Sequence, residues 1–196
     1  EILIGLVGSE MCIRDSIYGD SALLDMFESY ARKKAVVVVT QFNHPRELTA
    51  EAKRAIDSLL TRGIQLRNQT VLLRGVNDKS EVLGELLRGL TAMNVAPYYI
   101  FQCRPVTGVK GRFQVPIAEG IGIVDGAKAM QSGLGKAVRY AMSHPRGKIE
   151  MIGRLPDTDE TIFKFHQNKY PEDNARIFTR KLSEHDTWLD EELNPV

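Results

Sequence analysis

Three apolar runs, each stopping abruptly at polar residues, constrain this chain most. Ala35 to Thr40 contains four consecutive valines and gives way to Gln41-Phe42-Asn43-His44-Pro45-Arg46-Glu47. Ile64 to Leu73 encloses Asn68 and Gln69 and gives way to Arg74-Gly75-Val76-Asn77-Asp78. Val95 to Gln102 gives way to Cys103-Arg104. Runs this rich in β-branched and aromatic residues read as buried strands. Two helical patterns separate them. Thr49 caps the first, which carries Glu51 in its first turn, an Ile56, Leu59, Leu60 stripe and a terminating Gly63. The second has Asp78 and Glu81 at capping-box spacing, then a Val82, Leu83, Leu86, Leu87, Leu90 stripe. Repeated strand–helix units imply parallel strands. There is no Gly-x-Gly-x-x-Gly or Gly-Lys-Ser/Thr loop, which argues against a dinucleotide-binding or P-loop fold. A partial (β/α) barrel is the better architecture, with its site at the C-terminal ends of the strands.

The flanks complete the expected layout. Ser21 to Lys34 is helical, with Leu23, Leu24, Phe27 and Tyr30 on one face. A long loop runs from Arg104 to Pro116, and Ile117 to about Ser132 forms a helix ending at Gly133. After Lys148 the pattern alternates in three segments, Lys148 to Ile152, Thr161 to Phe165 and Arg176 to Arg180. Asp, Pro and Asn turns separate them, which reads as a small antiparallel sheet. The acidic tail from Leu182 to Val196 reads as peripheral. The expected division is thus a segment 1–16, a partial α/β barrel over 17–135, and a β subdomain over 136–196. Leu6 to Ser16 has no clear period and resembles a translated sequencing linker, so the protein proper is expected to begin near Ile17.

A net charge of +1 in 196 residues points to neither a nucleic-acid nor a membrane surface. No apolar run reaches membrane-spanning length. The two cysteines, Cys12 and Cys103, are too few for a disulfide framework or for a cysteine-ligated metal or iron–sulfur site. A reducing cytoplasm is the expected setting.

Gln41 to Thr49, Asn68 to Asp78 and Pro97 to Cys103, in that order and spacing, resemble the lysine 2,3-aminomutase family of radical S-adenosylmethionine enzymes. The resemblance covers roughly Val36 to Gly153 and continues more loosely beyond. It implies the C-terminal part of a radical-enzyme (β/α) barrel working with a [4Fe-4S] cluster, S-adenosylmethionine and pyridoxal phosphate (PLP). In such enzymes a deoxyadenosyl radical takes a hydrogen from an amino acid held on PLP, and the amino group migrates to the neighbouring carbon. The family's Cys-x-x-x-Cys-x-x-Cys motif is missing here, so the chain is expected to be a fragment that holds no cluster and is inactive alone. The family association also implies a homo-oligomer acting on a small amino acid.

The resemblance gives particular residues expected roles. His44, in the turn set by Pro45, would approach S-adenosylmethionine or else cap its own turn. The amides Asn68 and Gln69, which need partners inside an apolar strand, would contact S-adenosylmethionine, Gln69 above all, or else form an internal polar network beside Arg74. His144-Pro145-Arg146-Gly147-Lys148 matches the segment ending in the family's PLP lysine, which makes Lys148 the catalytic residue. Arg104 stands where lysine aminomutases carry an aspartate for the substrate's distal ammonium, and Tyr140 to Ser143 occupy the neighbourhood of a second. Lysine is therefore not the expected substrate; an acidic or neutral one is, and Arg104 could pair with a substrate carboxylate. Asn77 and Asp78 read as structural, Asp78 as a helix N-cap. Cys103 reads as a half-buried thiol. Lys79 replaces a cysteine that binds structural zinc in some members, and no metal ligand is assigned. Two other functions fit the same residues: a cluster-free nucleotide- or phosphate-binding module, and one half of a split enzyme.

Overall fold

A computed structural model describes residues 17–109 and 111–196. The expectation for residues 1–16 lies outside the described residues. Helix α1 (Ser21–Ala31) is capped by Asp20, whose carboxylate accepts from the Leu23 amide at 3.0 Å. It leads to strand β1 (Val37–Thr40) and a 3-10 turn, Pro45–Glu47. Helix α2 (Ala50–Leu60) begins as expected with Thr49, whose hydroxyl accepts from the Ala52 amide at 3.2 Å. Gly63, at φ 76°, supplies the left-handed turn into β2 (Gln65–Leu72). Helix α3 (Ser80–Ala92), β3 (Val95–Gln102), α4 (Ile117–Ala129) and a short α5 (Gly133–Lys136) follow. Strands β4 (Arg139–His144), β5 (Gly147–Leu155), β6 (Glu160–Asn168) and β7 (Ile177–Lys181) complete the chain, with a 3-10 turn at Pro171–Asp173 between the last two.

All seven strands form one open sheet in sequence order. β1 to β4 are parallel and β4 to β7 are antiparallel. The expected α/β class and the parallel strand–helix repeat are observed. The antiparallel strands are continuous with the parallel ones, and the sheet runs through the expected division at residue 135. β4 escapes the sequence reading, because Arg139 and Ser143 leave an apolar run of only Tyr140, Ala141 and Met142, too short to show a period.

Alternation along β2 sorts the two faces. Leu66, Asn68, Thr70 and Leu72 are buried, while Arg67, Gln69 and Val71 are half-buried on the opposite, open face. On the covered face Leu83, Leu86, Leu87 and Leu90 of α3 are fully buried, each stabilising by roughly 1.5–3 kcal/mol relative to exposure. The valine run is corrected here. Val37 and Val39 are 40% and 39% exposed, so β1 is covered on one face only.

Two further expectations fail. α3 is capped by the backbone of Lys79 with no side-chain hydrogen bond, so Asp78 is not its N-cap; it lies 3.7 Å from Arg74 instead. The tail is not peripheral. Trp188, Leu189 and Leu193 join the core, and Gln102 donates to the Thr187 carbonyl at 2.8 Å while Arg180 donates to that of Leu193 at 2.8 Å. Its acidic composition hid three apolar side chains spaced to grip the sheet.

Candidate functional site

The carboxyl ends of the parallel strands gather most of the expected residues. Lys148 is the second residue of β5 and pairs in register with Ser143 of β4. Gly147 precedes it at φ 144°, where a Cβ would overlap the Gln167 carbonyl, so a glycine is required to bring β5 against β6. The Lys148 ammonium lies 4.6 Å from the Tyr99 ring centre and 5.7 Å from that of Phe101. These two rings stack at 5.0 Å on the open face of β3. Burial, and after it the neighbouring Tyr98 hydroxyl, push the Tyr99 phenol up, yet its hydroxyl makes no well-formed hydrogen bond among the described residues.

Arg104 follows β3 and turns toward the same point. Its Nε and Nη2 donate to the Ser143 carbonyl at 3.0 and 2.8 Å. The structure thus brings Arg104 and Lys148 together through Ser143. Among the described residues no carboxylate pairs with Arg104, whereas Arg139 and Glu150 face each other at 3.6 Å nearby on the open face. His166, displaced by a bulge in β6, sets its ring edge against Tyr99 at 5.8 Å. Partial burial, then the cation of Arg139, hold its imidazole below the usual histidine range.

The three residues expected to meet S-adenosylmethionine behave differently. Gln69 is level with Tyr99 in the sheet, and its amide makes no hydrogen bond among the described residues. His44 accepts the Arg46 amide on Nδ1 at 3.1 Å, which leaves Nε2 without a partner among the described residues. Asn68 is 1% exposed and points to the covered face. Its oxygen accepts from Phe42 N at 2.7 Å and Thr40 Oγ1 at 2.9 Å, and its nitrogen donates to the Phe42 carbonyl at 3.0 Å and Thr70 Oγ1 at 2.9 Å. With every amide valence used, Asn68 clamps the end of β1 and has nothing left for a ligand.

Asn77 does similar work and was legible as structural. Its Nδ2 donates to the Asn43 and Val71 carbonyls, both at 2.8 Å, and its Oδ1 accepts from the Leu73 amide at 2.7 Å. Asn43 in turn accepts from the Val71 amide at 2.7 Å. This network sets the turn that carries His44. Gln102, buried behind Arg104, donates to the Val115 carbonyl at 2.7 Å and accepts the Tyr140 hydroxyl. Burial raises the thiol of Cys103, which is 4% exposed.

The donor set separates the expected cofactors. A primary amine on an aromatic shelf, beside an orphaned buried phenol and an arginine, fits PLP. An iron–sulfur cluster does not fit: the sequence has two cysteines, and the described residues contain no group of three His, Cys, Asp or Glu side chains placed to hold a metal. No helix among the described residues is long and apolar enough to cross a membrane.

No family model matches the chain. It is 40% identical over 190 residues to a protein described as a putative L-lysine 2,3-aminomutase from Aquifex aeolicus (strain VF5), an alignment covering 94% of this chain and 50% of that protein. An L-lysine 2,3-aminomutase of Fusobacterium nucleatum is 47% identical over 94 residues, 48% of this chain and 22% of its own length. A glutamate 2,3-aminomutase of Clostridioides difficile (strain 630) is 38% identical over 112 residues, 57% of this chain and 26% of its own length. The chain belongs to the lysine 2,3-aminomutase family, and its likeness is to the C-terminal portion of such proteins. It spans about half the length of the Aquifex relative.

Proposed function

We propose that the chain is the PLP-carrying part of a radical S-adenosylmethionine aminomutase, with Lys148 as the lysine that takes PLP and an acidic amino acid as substrate. The observation that carries this reading is the meeting of Lys148 with the Tyr99 and Phe101 ring faces beside Arg104. In this reading β1 to β4 are later strands of a (β/α) barrel whose open face lines the reaction chamber. PLP supplies an aldehyde that captures amino groups and a conjugated ring that spreads an unpaired electron.

The chain's own residues do the orienting. The Tyr99 and Phe101 faces hold the Lys148 side chain near the carboxyl ends of the strands and shield it from water. Gln69 and Nε2 of His44 offer an amide and an imidazole to S-adenosylmethionine; Asn68 acts only by fixing Phe42. Arg104, pinned by the Ser143 carbonyl, presents its guanidinium to the substrate's distal group. A second ammonium within about 4 Å would meet repulsion on the order of 4 kcal/mol at an effective dielectric of 20, enough to exclude lysine. A carboxylate at the same place gains charge-assisted hydrogen bonds. A homo-oligomeric whole protein goes with this reading.

The test is trapping. The chain is incubated with PLP, reduced with borohydride and mapped by mass spectrometry. One dominant adduct on Lys148, lost in Lys148→Arg, is expected. Adducts spread over surface lysines, unchanged in that variant, would end the reading. Substrate class is read from the visible absorbance of chain-bound PLP. Glutamate or aspartate should shift it at lower concentration than lysine does, and Arg104→Ala should erase the difference. A preference for lysine refutes the acidic substrate.

A further inference from the structure

A buried ion pair lies behind Lys148, on a segment that the proposed chemistry does not touch. Asp173 closes the 3-10 turn between β6 and β7 and is fully buried. It accepts from Arg146 Nε at 2.9 Å and Nη2 at 3.0 Å, and from Arg176 Nη1 at 3.0 Å. A carboxylate taken out of water persists only when paired this completely. The pairing acts on the turn that leads to Lys148. The Arg146 amide donates to Nδ1 of His144 at 3.2 Å, and the Arg146 carbonyl accepts from the Lys169 amide at 2.8 Å. Side chain, amide and carbonyl of one residue are therefore all held. Gly147 follows under its own steric limit, and Lys148 comes next.

We propose that Asp173 is a positioning residue for Lys148, acting through Arg146. A lysine side chain has four rotatable bonds, so its ammonium stays over one ring only when its backbone is anchored. The Arg146–Asp173 pair supplies that anchor across 27 residues of chain. The consequence for PLP capture rests on the reading of Lys148 given above; the consequence for the position of its ammonium does not.

The experiment uses the full chain with its lysines dimethylated by ¹³C-formaldehyde and observed by NMR, with Lys148→Arg identifying the Lys148 signal. Ring currents from Tyr99 and Phe101 should displace that signal upfield of the other lysines. Arg146→Lys and Asp173→Asn should return it to the common envelope. Arg146→Lys leaves Asp173 paired with Arg176, so it keeps the proposal testable should Asp173→Asn fail to fold. A purely structural role would move all lysine signals or none. A displaced signal that persists in folded Arg146→Lys, or one absent from the unsubstituted chain, overturns the proposal. In parallel, PLP trapping at Lys148 should fall roughly tenfold to a hundredfold in Arg146→Lys, while trapping at other lysines is unchanged. A signal that depends on Arg146 in a chain that takes no PLP at Lys148 supports the anchor and overturns the PLP assignment instead.

Discussion

The Lys148 ammonium sits over the face of Tyr99, 4.6 Å from the ring centre, while the hydroxyl of the same tyrosine is buried without a well-formed hydrogen bond among the described residues. The ring and its hydroxyl therefore act in opposite directions. The face stabilises a cation by about 1 kcal/mol, and the unmet hydroxyl costs about 1–3 kcal/mol. Tyr99→Phe keeps the face and removes the hydroxyl. Urea unfolding of the chain without PLP should show stability raised by roughly 1 kcal/mol. A loss of stability would mean that the hydroxyl has a partner in solution.

Asn77 and Asp78 are neighbours with very different expected weights. Asn77 is itself fully buried, and Asn77→Ala takes its amide from the Leu73 amide and the Asn43 and Val71 carbonyls in a partly buried network, so it should destabilise by roughly 2–4 kcal/mol. Asp78→Ala removes one long, half-buried ion pair and no helix cap, and Arg74 keeps its closer partner Glu119, so its effect should stay within about 1 kcal/mol. Chemical denaturation of the two variants side by side decides. Comparable losses would restore Asp78 as a cap.

His144 should make stability fall in acid. Burial lowers its imidazole below the usual histidine range and the Arg146 cation adds to this, while hydrogen bonding to the Asp190 backbone and the charge of Glu191 oppose it. The folded state keeps it neutral, with Nδ1 accepting from Arg146 and Nε2 donating to the Asp190 carbonyl at 2.9 Å. The unfolded chain takes up the proton near pH 6.5, so its contribution is complete above about that pH and is lost as pH falls below it. The slope is at most about 1.4 kcal/mol per pH unit for one proton. His144→Gln should flatten the curve between about pH 5 and 6.5, leaving the smaller share of His166. An unchanged slope would remove His144 as its source.

Trp188 is the chain's single tryptophan and stacks against His144 at 6.4 Å. Its fluorescence should be blue-shifted in the folded chain and should redden in the same transition that unfolds the sheet. Trp188→Ala should destabilise by about 3 kcal/mol. Reddening at a lower urea concentration than the loss of secondary structure would show that the tail docks loosely.

Much of this protein depends on residues that speak locally. Val95 to Gln102 announces a strand by its side chains, and the stripe from Val82 to Leu90 announces a helix by its period; neither needs a distant partner. The abrupt change from apolar to polar at Thr40, Leu73 and Gln102 likewise marks the strand ends, and there the chain does carry His44, Asn77 and Arg104. Thr49 reads correctly as a cap because its partner, Ala52, is three residues away.

The sequence by itself therefore determined the strand–helix order and where the apolar strands give way to polar residues, and the family resemblance singled out Lys148 and Arg104, which the sheet brings to one place through Ser143. Tertiary structure alone decided what those side chains touch. Asn68 and Gln69 are adjacent amides in one strand, yet one is satisfied internally and the other is free, because β-geometry sends them to opposite faces and only packing says which face is covered. Asp173 meets Arg146 and Trp188 meets His144 for the same reason. Partners that far apart in sequence are chosen by how the sheet folds back on itself, and no local pattern records that choice.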